Sequence, residues 1–235
     1  DGRSSESGLK FLVLSGVSSA FLLYGMVLVY GFTGTTVLSE IATRIAEIPL
    51  SGDEPFGSYA LALGSILIIA GFGFKITAFP FQMWAPDVYE GAPTPVTAFL
   101  SVASKAAGFS VVLRVFYAAF DMEALSIEWS AVFAILAALS MSVGNLVAIP
   151  QTNIKRMLAY STVAHAGYLM VGLAAAASRT SGDQPAFGPS GVLFYLGGYA
   201  LMNLAAFSAV IAISNRIDSD RIQDYAGMGR RAPFP

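Results

Sequence analysis

Two lysines are the residues most able to do chemistry in this sequence, because each lies inside a long apolar stretch. Lys75 is embedded in residues 58–84, and Lys105 lies close to the middle of residues 95–118. Arginine stays protonated in nearly any environment, whereas burial can lower the pKa of a lysine by as much as about 3–5 units. A buried lysine can therefore release and rebind a proton, and the two positions predict a proton pathway.

His165 is the third candidate and the single histidine of the chain. It lies within residues 154–177, close to Tyr160, Ser161 and Thr162. A neutral imidazole donates a hydrogen bond through one nitrogen and accepts one through the other, as a proton relay requires. The alternative is a neutral core histidine bonded to a hydroxyl or carbonyl group, and the sequence leaves both interpretations open.

Composition argues against other kinds of site. Cysteine is absent and histidine occurs once, so we expect no metal-binding and no cofactor-binding residues in this chain. No Ser/His/Asp constellation is apparent, which makes a hydrolase an unlikely class. A net charge of −2 also argues against nucleic acid as a partner.

The elements that position these residues are apolar helices. The chain is 55% hydrophobic and 12% charged, against about 25% charged residues in soluble domains. A helix that crosses about 30 Å of hydrocarbon needs about 20 mainly apolar residues. We therefore predict an all-α, polytopic transmembrane helix bundle that forms one domain over residues 1–235, with the lipid bilayer as its solvent. The predicted spans are residues 9–31, 58–84, 95–118, 129–149, 154–177 and 189–213.

Prolines shape the region after Lys75. Pro80 lacks a backbone donor and clashes with the preceding turn, so it predicts a break in the second span, with Lys75 on the interior side. Residues 85–94 contain Pro86 and Pro93 and are expected to form an ordered surface loop. The longest connections, about 32–57 and 178–188, are also predicted to be loops.

The basic residues outside the spans favour one orientation. Those on the side of the N-terminus are Arg3, Lys10, Lys155, Arg156, Arg216, Arg221, Arg230 and Arg231. Those on the opposite side are Arg44, Arg114 and Arg179. Because cytoplasmic connections carry an excess of Lys and Arg, we expect both ends of the segment to face the cytoplasm. The general character of the sequence favours a bacterial plasma membrane.

The two lysines lack an obvious counter-charge. A lysine at the bilayer centre costs roughly 2.5–3.5 kcal/mol, so each needs a partner or a hydrated cavity. All 15 Asp and Glu residues lie in connections or at the ends of spans, so we expect a carboxylate from a helix outside this sequence. A lysine that neutralises a fixed carboxylate or extends to the membrane surface is the structural alternative.

A long segment around both lysines resembles a known family. Residues 74–109 read FKITAFPFQMWAPDVYEGAPTPVTAFLSVASKAAGF. They are similar to the core signature of the antiporter-like membrane subunits typified by subunit N of NADH:quinone oxidoreductase, the respiratory complex I. Residues 9–34 and 151–173 extend the resemblance. Most of the chain is covered.

The resemblance implies a proton-translocating subunit built from inverted repeats, of which this chain is a fragment. It implies that Lys75 and Lys105 belong to the proton pathway, and it matches His165 more loosely. It places a glutamate one helix upstream and a further lysine downstream. NADH and quinone would be used by other subunits of the complex, including membrane partners of the same antiporter-like type. Members commonly have histidine where this sequence has Gln82, which puts a protonatable role for that position in doubt.

Two other functions remain open at this point. A subunit of a multisubunit cation/proton antiporter would share the lysine pattern, and its subunit composition would distinguish it. A structural membrane scaffold with immobile buried charges would keep its proton flux when Lys75 and Lys105 are replaced.

Overall fold

The computed structural model describes residues 2–47, 55–120, 123–175 and 187–231. Helices dominate this part of the chain. The first four are α1 (Gly2–Thr33), α2 (Leu38–Glu47), α3 (Pro55–Ile76) and α4 (Trp84–Gly91). Next come α5 (Thr94–Phe99), a π-helical segment (Leu100–Ser104), α6 (Lys105–Ala118) and α7 (Glu123–Ala148). The last three are α8 (Ile154–Ala174), α9 (Phe187–Ile217) and α10 (Met228–Arg231).

Six helical stretches in the described part are long and apolar enough to cross a membrane. They are Ser4–Thr33, Tyr59–Gly91, Thr94–Ala118, Trp129–Ala148, Ile154–Ala174 and Phe187–Ile217. Each corresponds to one predicted span, with ends that differ by at most seven residues. The all-α membrane fold predicted from composition and apolar run length is therefore confirmed.

The second span is discontinuous around Pro80. Helix α3 ends at Ile76, where Thr77 adopts a left-handed conformation with φ of 58°. The Thr77 amide donates to the Phe74 carbonyl, and the Ala78 amide donates to the Gly73 carbonyl. This is the hydrogen-bond pattern of a Schellman motif, which ends helices by pairing their last carbonyl groups.

Side chains add further hydrogen bonds to the backbone at this break. Trp84 Nε1 donates to the Phe74 carbonyl at 3.0 Å, and the Phe79 amide donates to Ser140 Oγ of α7 at 2.9 Å. In an apolar solvent an unpaired backbone group is costly, so these contacts allow a broken helix at membrane depth.

The predicted surface loop at residues 85–94 is wrong for most of its length, because α4 occupies Trp84–Gly91. Pro86 lies in the first turn of this helix, where backbone amides have no helical partner in any case. The helix ends before Pro93, because a proline disfavours helical geometry at the residue that precedes it. Pro86 therefore lies near the start of this helix and Pro93 lies after its end, and neither prevents the helix from forming.

The connection at residues 32–57 is also more ordered than predicted, because it contains α2. Ile41 and Ile45 lie one turn apart and are buried, while Thr43 and Arg44 are exposed. This amphipathic spacing explains a short helix that packs against the bundle. Residues 48–54 of the same connection lie outside the described residues, as does most of the predicted loop at 178–188.

Small residues bring the spans into close contact. A Cβ atom placed on Gly144 of α7 would lie 2.6 Å from the Ala164 backbone nitrogen of α8. One placed on Gly25 of α1 would lie 2.7 Å from the Gly64 carbonyl oxygen of α3. Glycine at these positions allows the helix backbones to approach closely. Close packing matters in a membrane, because no hydrophobic driving force acts between helices there.

The start of α1, the end of α4, the start of α8 and the end of α9 meet at one end of the bundle. Ser4 Oγ donates to the Gly91 carbonyl at 2.8 Å, and Lys155 Nζ lies 2.9 Å from Asp220 Oδ2. Both ends of the described chain therefore lie on one side, as an even number of spans requires.

An ion-pair network joins three elements at this end. Asp87 of α4 pairs with Lys10 of α1 at 3.1 Å and with Arg156 of α8 at 2.7 Å, and Arg156 also pairs with Glu90 at 3.1 Å. These basic residues lie on the side that the sequence assigned to them. Arg44 lies in α2 beyond the opposite end of α1, and Arg179 lies outside the described residues.

Candidate proton-transfer site

Lys105 lies in the interior of the bundle, at the point where the π-helical segment gives way to α6. The residue is 1% exposed. Its ammonium group donates a hydrogen bond to the Thr162 carbonyl of α8 and lies 5.7 Å from the centroid of the Tyr199 ring of α9. That distance falls within the range of about 6 Å over which a cation interacts with an aromatic face.

Tyr199 connects the elements around Lys105. Its hydroxyl donates to the Ser101 carbonyl of the π-helical segment at 3.1 Å and lies 3.3 Å from Thr162 Oγ1. A π-helical turn is rare and often marks a functional site, because its widened hydrogen-bond pattern leaves backbone groups for other partners. Here the Ser101 carbonyl receives such a partner.

No carboxylate pairs with Lys105 within the part of the chain that the structure describes. The ion pairs found there involve Lys10, Lys155 and Arg156, at the end of the bundle. A carbonyl dipole and an aromatic ring are weaker partners than a carboxylate and do not fix the charge state of the lysine. The arrangement can therefore hold either the ammonium or the amine.

Lys75 occupies the last turn of α3, directly before the break, and is half-buried. A Cβ atom on Gly108 of α6 would lie 3.9 Å from Lys75 Cβ, so Lys75 packs beside α6 one turn beyond Lys105. The C-terminal end of a helix favours a positive charge. The structure thus places both candidate lysines along one side of α6.

His165 extends the same cluster along α8. Its Nδ1 atom lies 2.6 Å from the Tyr195 hydroxyl, and its ring centroid lies 5.2 Å from that of Tyr199. Tyr199 therefore lies beside both His165 and Lys105. This geometry suits a relay, and it equally suits a neutral histidine bonded to a hydroxyl group.

Sequence reasoning did not identify the tyrosines of this site. Tyr195, Tyr199 and Asn203 follow one another at intervals of four along α9, which places them on one helix face. That periodicity is a signal available in the sequence. Tyr89 of α4 completes the cluster, near Thr162 and Tyr199.

Gln82, which stands where the resembling family commonly has histidine, lies in the 3₁₀ turn between the break and α4. It is half-buried, and its Oε1 atom has no hydrogen-bond partner among the described residues. Within these residues, no group of three or more His, Asp or Glu side chains is arranged to hold a metal ion.

A polar cavity of about 750 Å³ opens at the end of the bundle that carries the ion-pair network. Its lining includes Glu90, Thr94, Asn153, Ser214 and Arg221. These residues come from α4, α5, α8, α9 and the segments that flank them. The cavity therefore lies at one end of α8 and α9, the helices that contribute Thr162 and Tyr199 to the Lys105 site.

Comparison with known proteins places this geometry in context. The pattern of the family described as "NADH:quinone oxidoreductase/Mrp antiporter, TM" matches residues 1–235. NADH-quinone oxidoreductase subunit N of Heliobacterium modesticaldum is 53% identical over 234 residues, which cover 100% of this chain and 46% of the relative.

Solved structures show the same fold. A chain of the membrane-bound sulfane sulfur reductase, an archaeal respiratory membrane complex, has a TM-score of 0.83 and 29% identity, covering 99% of this chain and 44% of that one. A chain of respiratory complex I from Thermus thermophilus has a TM-score of 0.73 and 36% identity, covering 99% and 46% respectively. The chain spans less than half the length of each relative.

Proposed function

Because this chain belongs to the NADH:quinone oxidoreductase/Mrp antiporter membrane family, we propose that it is part of a proton-translocating membrane subunit of an NADH:quinone oxidoreductase. In this role it works as a translocase component and carries out no redox chemistry itself. NADH oxidation and quinone reduction occur in other subunits, and neighbouring antiporter-like membrane subunits are its partners. Lys75, Lys105 and His165 carry the protons.

The observation that carries this proposal is the environment of Lys105. Its ammonium is buried at the middle of a membrane span, and its partners in the described structure are a backbone carbonyl and an aromatic ring. A carbonyl dipole and an aromatic ring stabilise the ammonium without pairing its charge, so they leave the lysine able to lose its proton. A group that alternates between charged and neutral forms needs partners that tolerate both.

Control of the lysines comes from a carboxylate on a helix outside this segment. A carboxylate close to Lys75 favours the ammonium form, and its withdrawal favours release of the proton. Two unit charges 4 Å apart interact by about 4 kcal/mol at an effective dielectric constant of 20, which is enough to switch a lysine between states. Little backbone movement is needed for such a switch.

The membrane is a bacterial plasma membrane in this proposal, and both ends of the segment face the cytoplasm. The support is the placement of Lys10, Lys155 and Arg156 at the end of the bundle where the described chain begins and ends. Positive residues concentrate on the cytoplasmic side of membrane proteins.

Replacement of Lys105 tests the proposal in the full-length subunit within its assembled complex. Lys105→Ala is expected to reduce proton translocation through this subunit on the order of a hundredfold, because a general acid–base group is lost. Lys105→Arg should do little better, since arginine keeps its proton. Translocation would be measured in vesicles during NADH oxidation, with Lys10→Ala as a control at an exposed lysine.

Full translocation with arginine and none with alanine would show a fixed counter-charge instead of a relay. Full translocation in both variants would favour a structural scaffold. A cation/proton antiporter subunit is the alternative, and it would purify without flavin, iron–sulfur and quinone-site proteins. The relatives named as NADH-quinone oxidoreductase subunit N favour the first assignment.

A further inference from the structure

An apolar groove of about 170 Å³ lies in the half of the bundle opposite the ion-pair network, where α1 ends at Thr33 and α6 ends at Ala118. Its lining comes from α1, α2, α3, α6 and the residues after α6, and it includes Val29, Ile41, Phe72, Val115 and Phe120. Met26 and Tyr30 of α1 also line it and are 41% and 51% exposed. The groove therefore opens to the medium around the bundle.

The groove follows the direction of the spans. Phe72 lies three residues before Lys75 on α3, whereas Thr36 lies beyond the end of α1. The groove thus extends from near the middle of the bundle to its end. At this depth the medium is lipid hydrocarbon, which is as apolar as a leucine side chain. An acyl chain that enters from the membrane surface matches both the direction and the chemistry of the groove.

Two arginines flank the groove where it reaches the end of the bundle. Arg44 lies one turn after Ile41 on α2, and Arg114 directly precedes Val115 on α6. Helix α2 packs against α6, and both arginines are exposed. Neither arginine takes part in the ion pairs found among the described residues. Two positive charges therefore lie at the mouth of an apolar groove.

The acidic neighbours of Arg44 on α2 do not supply its counter-charge. Glu40 accepts a hydrogen bond from Thr35 Oγ1 at 2.6 Å, and Glu47 is exposed at the end of the helix. Neither forms an ion pair with Arg44 in the described structure. An external anion can therefore reach this guanidinium group.

Arg114 lies at the level of phospholipid headgroups. Lys105 is close to the middle of the span Thr94–Ala118, and Arg114 follows it on α6 after nine residues. At 1.5 Å per residue the separation is about 13 Å, against about 15 Å for half the hydrocarbon thickness. A long arginine side chain can extend the remaining distance. Helix α2 is amphipathic, as is common for helices that lie at the membrane surface.

We propose that the groove binds one acyl chain of an anionic phospholipid whose phosphate is held by Arg44 and Arg114. Guanidinium groups match phosphate oxygens in bidentate geometry, and basic sites between membrane helices bind lipid headgroups. A zwitterionic headgroup also carries an ammonium that the arginines repel, so an anionic lipid is preferred. The groove contains none of the proposed proton carriers, and the inference is therefore independent of the proposed function.

Photocrosslinking tests the site in the full-length subunit within its assembled complex. The complex is placed in phosphatidylcholine vesicles with a trace of phosphatidylglycerol that carries a diazirine near the end of one acyl chain. We expect crosslinks at groove residues such as Met26 and Phe72, mapped by mass spectrometry. Unlabelled phosphatidylglycerol should suppress them. Diacylglycerol with the same acyl chains should not, because it lacks the phosphate.

Variants separate the two parts of the site. Arg44→Gln combined with Arg114→Gln should lower crosslinking at the groove about tenfold, because charged hydrogen bonds to the phosphate are lost. Arg216→Gln is the control, at an exposed arginine in the last turn of α9. Met26→Trp fills the mouth of the groove and should also lower crosslinking. Its control is Met202→Trp, at a residue of α9 that is 49% exposed.

The native complex alone can refute the inference, so the test does not depend on assembly of the variants. Absence of crosslinks at the groove would show that protein covers it. Equal suppression by diacylglycerol and phosphatidylglycerol would show that the phosphate is not recognised. Unchanged crosslinking in an assembled arginine variant would likewise overturn the assignment of Arg44 and Arg114.

Discussion

Two buried lysines of this chain have different partners. Lys155, 7% exposed at the start of α8, lies 2.9 Å from Asp220 and 3.4 Å from the Ala92 carbonyl. Lys105, 1% exposed within the span, has a carbonyl and an aromatic ring as its partners in the described structure. Lys155 forms an ion pair with a carboxylate and is therefore a structural residue at the end of the bundle.

This contrast predicts that replacement by arginine affects Lys155 and Lys105 in opposite ways. Lys155→Arg is expected to retain the ion pair and leave both stability and translocation close to native. Lys155→Met should destabilise the subunit by about 1–3 kcal/mol, because Asp220 loses a charged hydrogen-bond partner. Thermal unfolding of the complex measures the change. Equal loss of translocation in Lys155→Arg and Lys105→Arg would contradict the distinction between the two residues.

Tyr199 is predicted to act through both its ring and its hydroxyl. Tyr199→Phe keeps the ring near Lys105 and loses the hydrogen bond to the Ser101 carbonyl, at a cost of about 0.5–1.5 kcal/mol in stability. Tyr199→Leu also loses the cation–aromatic contact, worth about 0.5–2 kcal/mol. Translocation in vesicles should therefore decrease from native to phenylalanine to leucine. Equal rates in the two variants would exclude a role for the ring.

At the level of elements, the break in the second span depends on a side chain from the fourth span. Ser140 of α7 is 0% exposed and accepts the hydrogen bond of the Phe79 amide. Ser140→Ala should cost about 1–3 kcal/mol, because it leaves a backbone donor unpaired at membrane depth. Loss of thermal stability would be the measurement. A neutral result would mean that the amide finds another partner.

Close packing between α7 and α8 gives a second prediction at this level. Gly144→Ala would place a Cβ atom 2.6 Å from the Ala164 backbone nitrogen, and backbone cannot yield as a flexible side chain can. We expect a loss of about 1–3 kcal/mol in thermal stability. Gly16→Ala is the control, since a Cβ atom there meets nothing within 4 Å. Similar losses at both positions would point to glycine flexibility instead of close packing.

Sequence reasoning located the spans because apolar run length is a local property. It missed α4, because Pro86 and Pro93 predict a loop, whereas Pro86 lies in the first turn of the helix and Pro93 lies after its end. It missed α2, although Ile41 and Ile45 have the spacing of one buried helix face. The π-helical segment has no comparable local signature, and we have no sequence-based account of it.

Part of the site was predicted because it also depends on a local property of the sequence. The position of Lys105 in the middle of a span indicated its burial. Its partners could not be predicted, because Thr162 lies 57 residues further along the chain and meets it only through packing of α6 against α8. Tyr199 lies 98 residues beyond the Ser101 carbonyl that it contacts, so the contact is likewise a product of the assembled bundle.

For the whole molecule, the packing predicts which surfaces share one aqueous compartment. The sequence lacks cysteine, so each cysteine introduced singly would be the one thiol of this segment. Cysteine at Glu90 and at Asn215, which line the polar cavity, should react with a membrane-impermeant maleimide from the cytoplasmic side. Cysteine at Thr36, exposed beyond the other end of α1, should react from the opposite side. Labelling of Glu90 and Asn215 from different sides would refute this topology.

The π-helical segment before Lys105 has a consequence for how the gene tolerates small deletions. A π-helical turn holds one residue more than an α-helical turn, so removing one codon between Leu100 and Ser104 would leave a regular helix. A π turn accommodates its extra residue within one rotation, so residues on the two sides of the lost codon would keep roughly their present relative facing. The shortened protein would keep its hydropathy and insert normally, yet a regular helix would pair the backbone carbonyls of this turn differently, and the Ser101 carbonyl would no longer be placed to accept from Tyr199. An in-frame deletion at this point is therefore expected to reduce translocation while leaving the amount of protein in the membrane unchanged.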